Sequence, residues 1–268
     1  MHNSISFRLR NIPASDALLS SVAAIALYGK GTFTTIRFCN RKPSLWEKHW
    51  KRLTLDAFKI GIDISEFSEE VVLDALHEII AKNEVANGRA RITFLDESLS
   101  KIWSFNTGRK TSLLITTADN HKPSGNFRLA VSPYHTNTTS PLVGIKSCNY
   151  LEHLMAFNEA KARGFDEAVR INERGELSSA CMANVFWLKE RKLYTPNLKT
   201  GCLPGTTREY VVENLDCVEV EASIAELHSA DAIFLTSAGI GVVQVAEFDG
   251  RVMRREPHGI LDIVPKPI

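Results

Sequence analysis

The sequence predicts an α+β chain (mixed α/β) of two domains, and three observations carry that expectation. The 268 residues suffice for two ordinary hydrophobic cores. In the first half, strand-like runs gather around two clear helical patterns, as helices packed on an antiparallel sheet would require. In the second half, strands are separated by loops or short helices, which favours a mixed sheet over a regular doubly wound one. Turn formers cluster at residues 119–125 and the composition dips again at 135–141. The expected division is a small α+β domain over 1–120, a linker region over 121–141 and a larger domain over 142–268.

Taken in order, residues 4–10 alternate apolar and charged side chains as a strand does, and a short helix is expected over 14–26. Two glycines then precede a β-branched and aromatic run over 32–39, closed by a turn at 40–42. Ser44, with Glu47 three residues on, reads as a capping box for a helix reaching about Ile60. That helix carries His49 and Arg52 about one turn apart, next to a stripe of Leu45, Leu53 and Ala57. A second helix is expected over 68–82, then strands over 89–95, 101–105 and 112–117. A strand over 127–133 leads to VGIKSCNYLEHLMAFNEAKAR, residues 143–163. Here Leu151, Leu154, Met155 and Ala162 recur at helical spacing, Ser147 or Asn149 is available as a cap, and Glu159 can pair with Arg163. Strands are expected over 167–172, 184–189 and 192–196. A loop bracketed by Gly201 and Gly205 opens a helix at Thr206 or Thr207. Strands over 218–221, 232–236 and 241–248 and a short helix over 223–229 complete the chain.

Composition excludes several classes. Charged residues are 24%, hydrophobic residues 44% and the formal net charge is +1, with no basic excess to mark a nucleic-acid binder. The N-terminal residues lack the pattern of a signal peptide, and no apolar run is long enough to span a bilayer, so a cytoplasmic protein is expected. Five scattered cysteines form no C-x-x-C pair and eight histidines show no paired spacing, which argues for reduced thiols and against a zinc site.

Four features bear on chemistry. Lys146 stands at the entry to a helix, where partial desolvation would lower its pKa and free its amine as nucleophile or base; an isolated lysine is otherwise a solvated surface residue. In LPGTTR, Gly205 allows close backbone approach, and Thr206 and Thr207 lie at a helix N-terminus, where phosphate is stabilised. The loop TSAGIG, 236–241, adds hydroxyls and glycines, and Arg52 has a planar fork suited to phosphate. Taken singly, each loop is more often an ordinary turn, and Arg52 has a helix-surface salt bridge as its ordinary role. Together they suit a phosphorylated aldehyde.

The ordered series GTFTTIR, HWKRL, GIKSCNYLE, ANVFW, LPGTTRE and LTSAGIGVVQV resembles the class IV, fold type IV family of pyridoxal-phosphate enzymes over nearly the whole chain. That family contains branched-chain and D-amino acid aminotransferases and aminodeoxychorismate lyase. The resemblance implies the two-domain fold type IV architecture, with a barrel-like sheet in the larger domain, and a homodimer with its active site near domain and subunit boundaries. It implies pyridoxal 5'-phosphate as cofactor and Lys146 as the Schiff-base lysine that also shuttles the proton. Arg52, Thr206, Thr207, Ser237 and the backbone of Ala238 match the phosphate contacts, Ala238 standing where relatives often have Thr or Ser. Tyr150 falls near a position that contacts the cofactor's ring oxygen in some members.

One departure is sharp. Where relatives place a glutamate against the pyridine nitrogen, five residues before the position of Asn184, this chain has Ser179. Glu176 lies three residues earlier and would reach only through a reshaped loop. A hydroxyl leaves the ring nitrogen largely neutral and weakens the electron sink. The resemblance implies an aminotransferase moving an amino group between an amino acid or amine and a keto acid. Aminodeoxychorismate lyase, which eliminates pyruvate to give p-aminobenzoate, is the alternative, since GTFTTIR and ANVFW resemble its versions. A non-catalytic relative is a third reading, motivated by Ser179 and Ala238. RITFLDESLSKIW carries neither the S-R-G turn of lyases and D-amino acid enzymes nor a branched-chain Y-x-R-P pattern. Substrate carboxylate recognition is expected from Arg37, Arg89 or Arg91, with Phe33 beside them; residues 89 and 91 share a strand face.

Overall fold

The β-branched run after Gly31 forms one of the three nine-residue strands of a six-stranded sheet that organises the first part of the chain. The computed structural model describes residues 1–99, 110–121, 123 and 125–263. Two units follow from the chain's contacts: the first holds Met1–Asn120 and Ile145–Asn149, the second His121–Gly144 and, of the described residues, 150–263. Residues 121–141, expected as a linker, therefore belong to the second unit, and Lys146, expected in the larger domain, lies in the first.

In the first unit the elements are β1 (Ser4–Phe7), β2 (Arg10–Pro13), α1 (Ala24–Tyr28), β3 (Gly31–Cys39), β4 (Lys42–Pro43), α2 (Trp46–Lys59), α3 (Glu69–Lys82), β5 (Gly88–Asp96) and β6 (Thr111–Asp119). The sheet runs in the order β2-β1-β6-β5-β3-β4, antiparallel throughout. The helix expected over 14–26 is reduced to a 3-10 turn at Ala14–Asp16 and to α1; residues 10–13, just before it, pair with β1 as a hairpin. The capping box at Ser44 does not form: the N-cap is Leu45, held at φ 54° with no side-chain cap. Ser68, in contrast, caps α3 by accepting from Val71 N. The strand expected over 101–105 lies outside the described residues.

Alternation along β3 and β5 sends Ile36, Phe38, Ile92 and Phe94 into one core with Leu53 and Ala57 of α2 and Leu76, Ile79 and Ile80 of α3. Burial of some ten such side chains, each contributing about 1.5–3 kcal/mol, is what seats α2 on the sheet. The same helical face carries His49, Arg52 and Asp56, also buried, at spacings of three and four residues. Polar chemistry is thus embedded in the packing face of a helix.

The second unit contains β7 (Arg128–Val131), α4 (Leu151–Ala162), β8 (Glu167–Ile171), β9 (Leu177–Ala180), β10 (Asn184–Lys189), β11 (Lys192–Pro196), α5 (Thr206–Asn214), β12 (Cys217–Val220), α6 (Ala225–Ser229), β13 (Ala232–Ser237), β14 (Gly241–Gln244), β15 (Glu247–Phe248) and β16 (Arg251–Val252). They make two five-stranded mixed sheets, β12-β11-β10-β13-β14 and β16-β15-β7-β8-β9. The sequence patterns did not mark β9, a buried four-residue strand rich in small side chains.

In α4 the apolar residues at helical spacing face outward: Leu151, Leu154 and Met155 are exposed, and Ala156 and Ala160 are the buried residues. Its N-cap is Tyr150, without the side-chain cap expected from Ser147 or Asn149, while the Glu159–Arg163 pair does form at 2.6 Å. The five cysteines are free thiols, and no helix among the described residues is long and apolar enough to cross a membrane.

Candidate active site

Lys146 is fixed through its backbone before its side chain does anything. Its N–H donates to Asp56 Oδ2 at 3.0 Å, and its carbonyl accepts from Phe33 N at 3.0 Å and Thr32 Oγ1 at 3.1 Å. Cys148 N donates to Gly31 O at 2.8 Å, so the segment lies along the start of β3 as a short bridge. Glycine at 31 leaves room for this approach: a Cβ there would lie 2.8 Å from Cys148 Sγ and from Ile25 Cδ1 and 3.0 Å from Phe94 O.

The lysine amine sits 4.4 Å from the centroid of the Phe33 ring, and the Arg91 guanidinium carbon lies 3.5 Å from the same centroid. Burial first, then the Arg52 and Arg91 cations, lowers the Lys146 pKa from 10.5 to about 7; Asp56 opposes the shift. Burial raises the pKa of Asp56, against the Lys146 backbone N–H and the Arg52 cation, which lower it. Burial, helped by Arg52 and Lys146, pushes His49 well below the ordinary imidazole range. Arg52 Nη2 donates to Thr34 Oγ1 at 2.9 Å, and Thr34 Oγ1 lies 2.6 Å from His49 Nδ1.

The three candidate arginines share a sheet face. Register pairs Phe33 with Thr93, Thr35 with Arg91 and Arg37 with Arg89, so all of these point away from the core shared with α2. Arg91 reaches the Phe33 ring, donates to Thr93 Oγ1 at 3.4 Å and lies 4.0 Å from Cys148 Sγ. Arg37 and Arg89 sit directly opposite each other, farther along the strands.

The second unit holds the remaining expected residues. Gly205 is the N-cap of α5, and Thr206 and Thr207 are its first two helical residues. Asn184 Nδ2 donates to Leu203 O at 2.8 Å, and a Cβ on Gly205 would meet Asn184 Oδ1 at 2.0 Å, so only glycine fits this loop. Ser237 ends β13, its Oγ accepting from Ile240 N at 3.3 Å across a turn that includes Ala238. Tyr150 stacks on His153 with ring centroids 4.4 Å apart.

Ser179 is buried in β9. Glu176 is engaged elsewhere: its carboxylate accepts from Arg174 Nη2 at 2.7 Å and Asn172 Nδ2 at 2.8 Å. The carboxylate that shapes the turn after β9 is Glu167, which accepts the backbone N–H groups of Ala168, Cys181 and Met182 at 3.0 Å each. Sequence reasoning passed over Asp56, Thr34 and Glu167. The signal for Asp56 was its spacing, seven residues after His49 and four after Arg52 on an amphipathic helix.

A buried lysine amine held near neutrality among arginines is the equipment of an enzyme that works on carbonyl compounds through an amine. Residues 31–248 match the family model for amino-transferase class IV, and the chain belongs to that family. It is 27% identical over 250 residues to the aminodeoxychorismate lyase of Bacillus subtilis, covering 90% of this chain and 85% of that one. It is 27% identical over 232 residues to the D-alanine aminotransferase of Bacillus licheniformis, covering 84% and 81%. Among solved structures, a branched-chain aminotransferase from Thermoproteus uzoniensis superposes with a TM-score of 0.91 at 26% identity, covering 98% of this chain and 93% of that one.

Proposed function

We propose that this enzyme is a pyridoxal-phosphate-dependent aminotransferase that moves an amino group between an amino acid or amine and a keto acid. The observation that carries the reading is Lys146, pinned at both backbone polar groups and held near neutrality by burial beside Arg52 and Arg91. The residues fit the cofactor: an amine for its aldehyde, a buried arginine for its phosphate, and a helix start whose glycine leaves no room for a Cβ. When bound, the cofactor supplies the aldehyde and the electron sink.

In this reading Lys146 holds the cofactor and moves the substrate proton. Arg52, Thr206, Thr207, Ser237 and the Ala238 backbone bind phosphate, and Tyr150 meets the ring oxygen. Arg91 takes a substrate carboxylate, because it is the arginine of the three that shares the Phe33 ring with the lysine. Phe33 walls that position, with Arg37 and Arg89 behind it. The reading also expects a homodimer in the cytoplasm.

Elimination of pyruvate from aminodeoxychorismate is the second reading. It is favoured by Ser179 together with the engagement of Glu176 by Arg174 and Asn172, which leaves a weaker electron sink. A visible yellow absorbance in the purified protein, lost in Lys146→Ala, tests the cofactor; a colourless protein that takes up no added cofactor overturns both readings. Amino-acid and keto-acid panels run beside an assay for p-aminobenzoate and pyruvate then separate them. Ser179→Glu is expected to raise transamination by about tenfold, the scale of one charge-assisted hydrogen bond added at the transition state. An unchanged rate in a folded, loaded variant would place the missing acid elsewhere.

A further inference from the structure

His49, Thr34 and Arg52 form a hydrogen-bonded row whose direction is set by their chemistry. Arg52 can only donate, so Thr34 Oγ1 accepts from its Nη2 at 2.9 Å. The same oxygen lies 2.6 Å from His49 Nδ1. Two arrangements satisfy that contact. In one, the threonine hydroxyl donates to an unprotonated Nδ1, and the imidazole is neutral if its proton sits on Nε2. In the other, Nδ1 donates, and the threonine oxygen receives hydrogens from both sides. If His49 is an imidazolium, the second arrangement sets two cations on one oxygen, with His49 and Thr34 each 1% exposed. The first avoids that crowding, and in it the hydroxyl is locked so that its lone pairs face the guanidinium.

We propose that His49 is a positioning residue for Arg52, acting through the Thr34 hydroxyl, and that a proton on His49 loosens the hold of Arg52 on an anionic ligand. The inference rests on the reading of Arg52 as a phosphate ligand. The charged groups around the imidazole include Arg52 on its own helix and Lys146 from the segment lying along β3, with Asp56 one turn beyond Arg52. Burial, Arg52 and Lys146 all disfavour the imidazolium, so the loosening belongs to acid conditions, well below the ordinary imidazole range.

Pyridoxine 5'-phosphate is a suitable probe because, lacking an aldehyde, it cannot react with Lys146. Each variant is compared with the parent at the same pH, which cancels titration of the probe. At about pH 7.5, Thr34→Val is expected to bind about tenfold more weakly, the loss of one charge-assisted arrangement. His49→Asn, whose amide oxygen replaces the Nδ1 acceptor, should bind within about twofold of the parent, and His49→Leu should resemble Thr34→Val. As the pH is lowered well below the ordinary imidazole range, the parent should lose several-fold more affinity than His49→Asn. Equal affinity of Thr34→Val and parent, or equal pH dependence of His49→Asn and parent, overturns the proposal. If no form binds the probe, the phosphate reading of Arg52 fails on its own account. Imidazole nitrogen shifts of the apoprotein then still decide the row: a bare Nδ1 with the proton on Nε2 supports it, and a protonated Nδ1 at about pH 7.5 sinks it.

Discussion

Lys146→Ala should abolish the visible absorbance and lower turnover by about a thousandfold, within the range for removing a positioned proton-transfer group. Loss of turnover with the absorbance intact would mean that another amine holds the cofactor. Capture of an added aldehyde by the cofactor-free protein should speed up as pH rises through about 7, because Lys146 attacks unprotonated and burial, Arg52 and Arg91 place its pKa there. Stability of the apoprotein carries the same signature. The folded-state pKa is lowered from 10.5 to about 7, so the fold disfavours the ammonium form. That cost is complete below about 7 and is relieved as pH rises toward 10.5. Lys146→Met should therefore melt above the parent near neutrality, and the gap should close at alkaline pH. A gap independent of pH would remove electrostatics as its cause.

Gly205→Ala should weaken cofactor affinity by about ten- to a hundredfold and cost about 1–3 kcal/mol of stability. The added methyl would lie 2.0 Å from Asn184 Oδ1, and Asn184 cannot simply swing aside because its Nδ2 holds Leu203 O at 2.8 Å. Either the amide leaves that bond or the turn before α5 shifts, and both displace the N–H groups of Thr206 and Thr207. Gly250→Ala is a contrasting control, since a Cβ there meets nothing within 4 Å and its strain comes from φ 84° alone. Comparable cofactor loss in the two variants would show that backbone freedom, not the Asn184 approach, governs the loop.

The parts of the molecule legible in sequence are those with local causes. The six-stranded sheet's central strands announce themselves as β-branched runs, α3 by Ser68 and its apolar spacing, and α5 by a glycine followed by two threonines. Local rules failed where tertiary contacts outweighed them. The helix expected over 14–26 is reduced to a single 3-10 turn at Ala14–Asp16 and to α1, which begins only at Ala24, while the preceding residues 10–13 pair with β1. Ser44 gave way as a cap to Leu45. The apolar spacing in α4 describes an outward face, while two alanines pack inward, since periodicity gives the period of a pattern and not its direction.

For the candidate site, residue types at short spacing determined a good deal by themselves: a lysine preceding a helix, an arginine one turn from a histidine, and a glycine-threonine helix start. These follow from helical geometry and backbone sterics, which act over a few residues. The tertiary structure alone decided what those groups are chemically. Lys146 becomes a near-neutral amine because Asp56, 90 residues away in sequence, and β3 fix its backbone while Arg52 and Arg91 crowd its charge. Thr34 and His49 become a row behind Arg52 because α2 packs its polar stripe against β3. Desolvation and charge proximity depend on contacts between distant segments, and no local pattern encodes them.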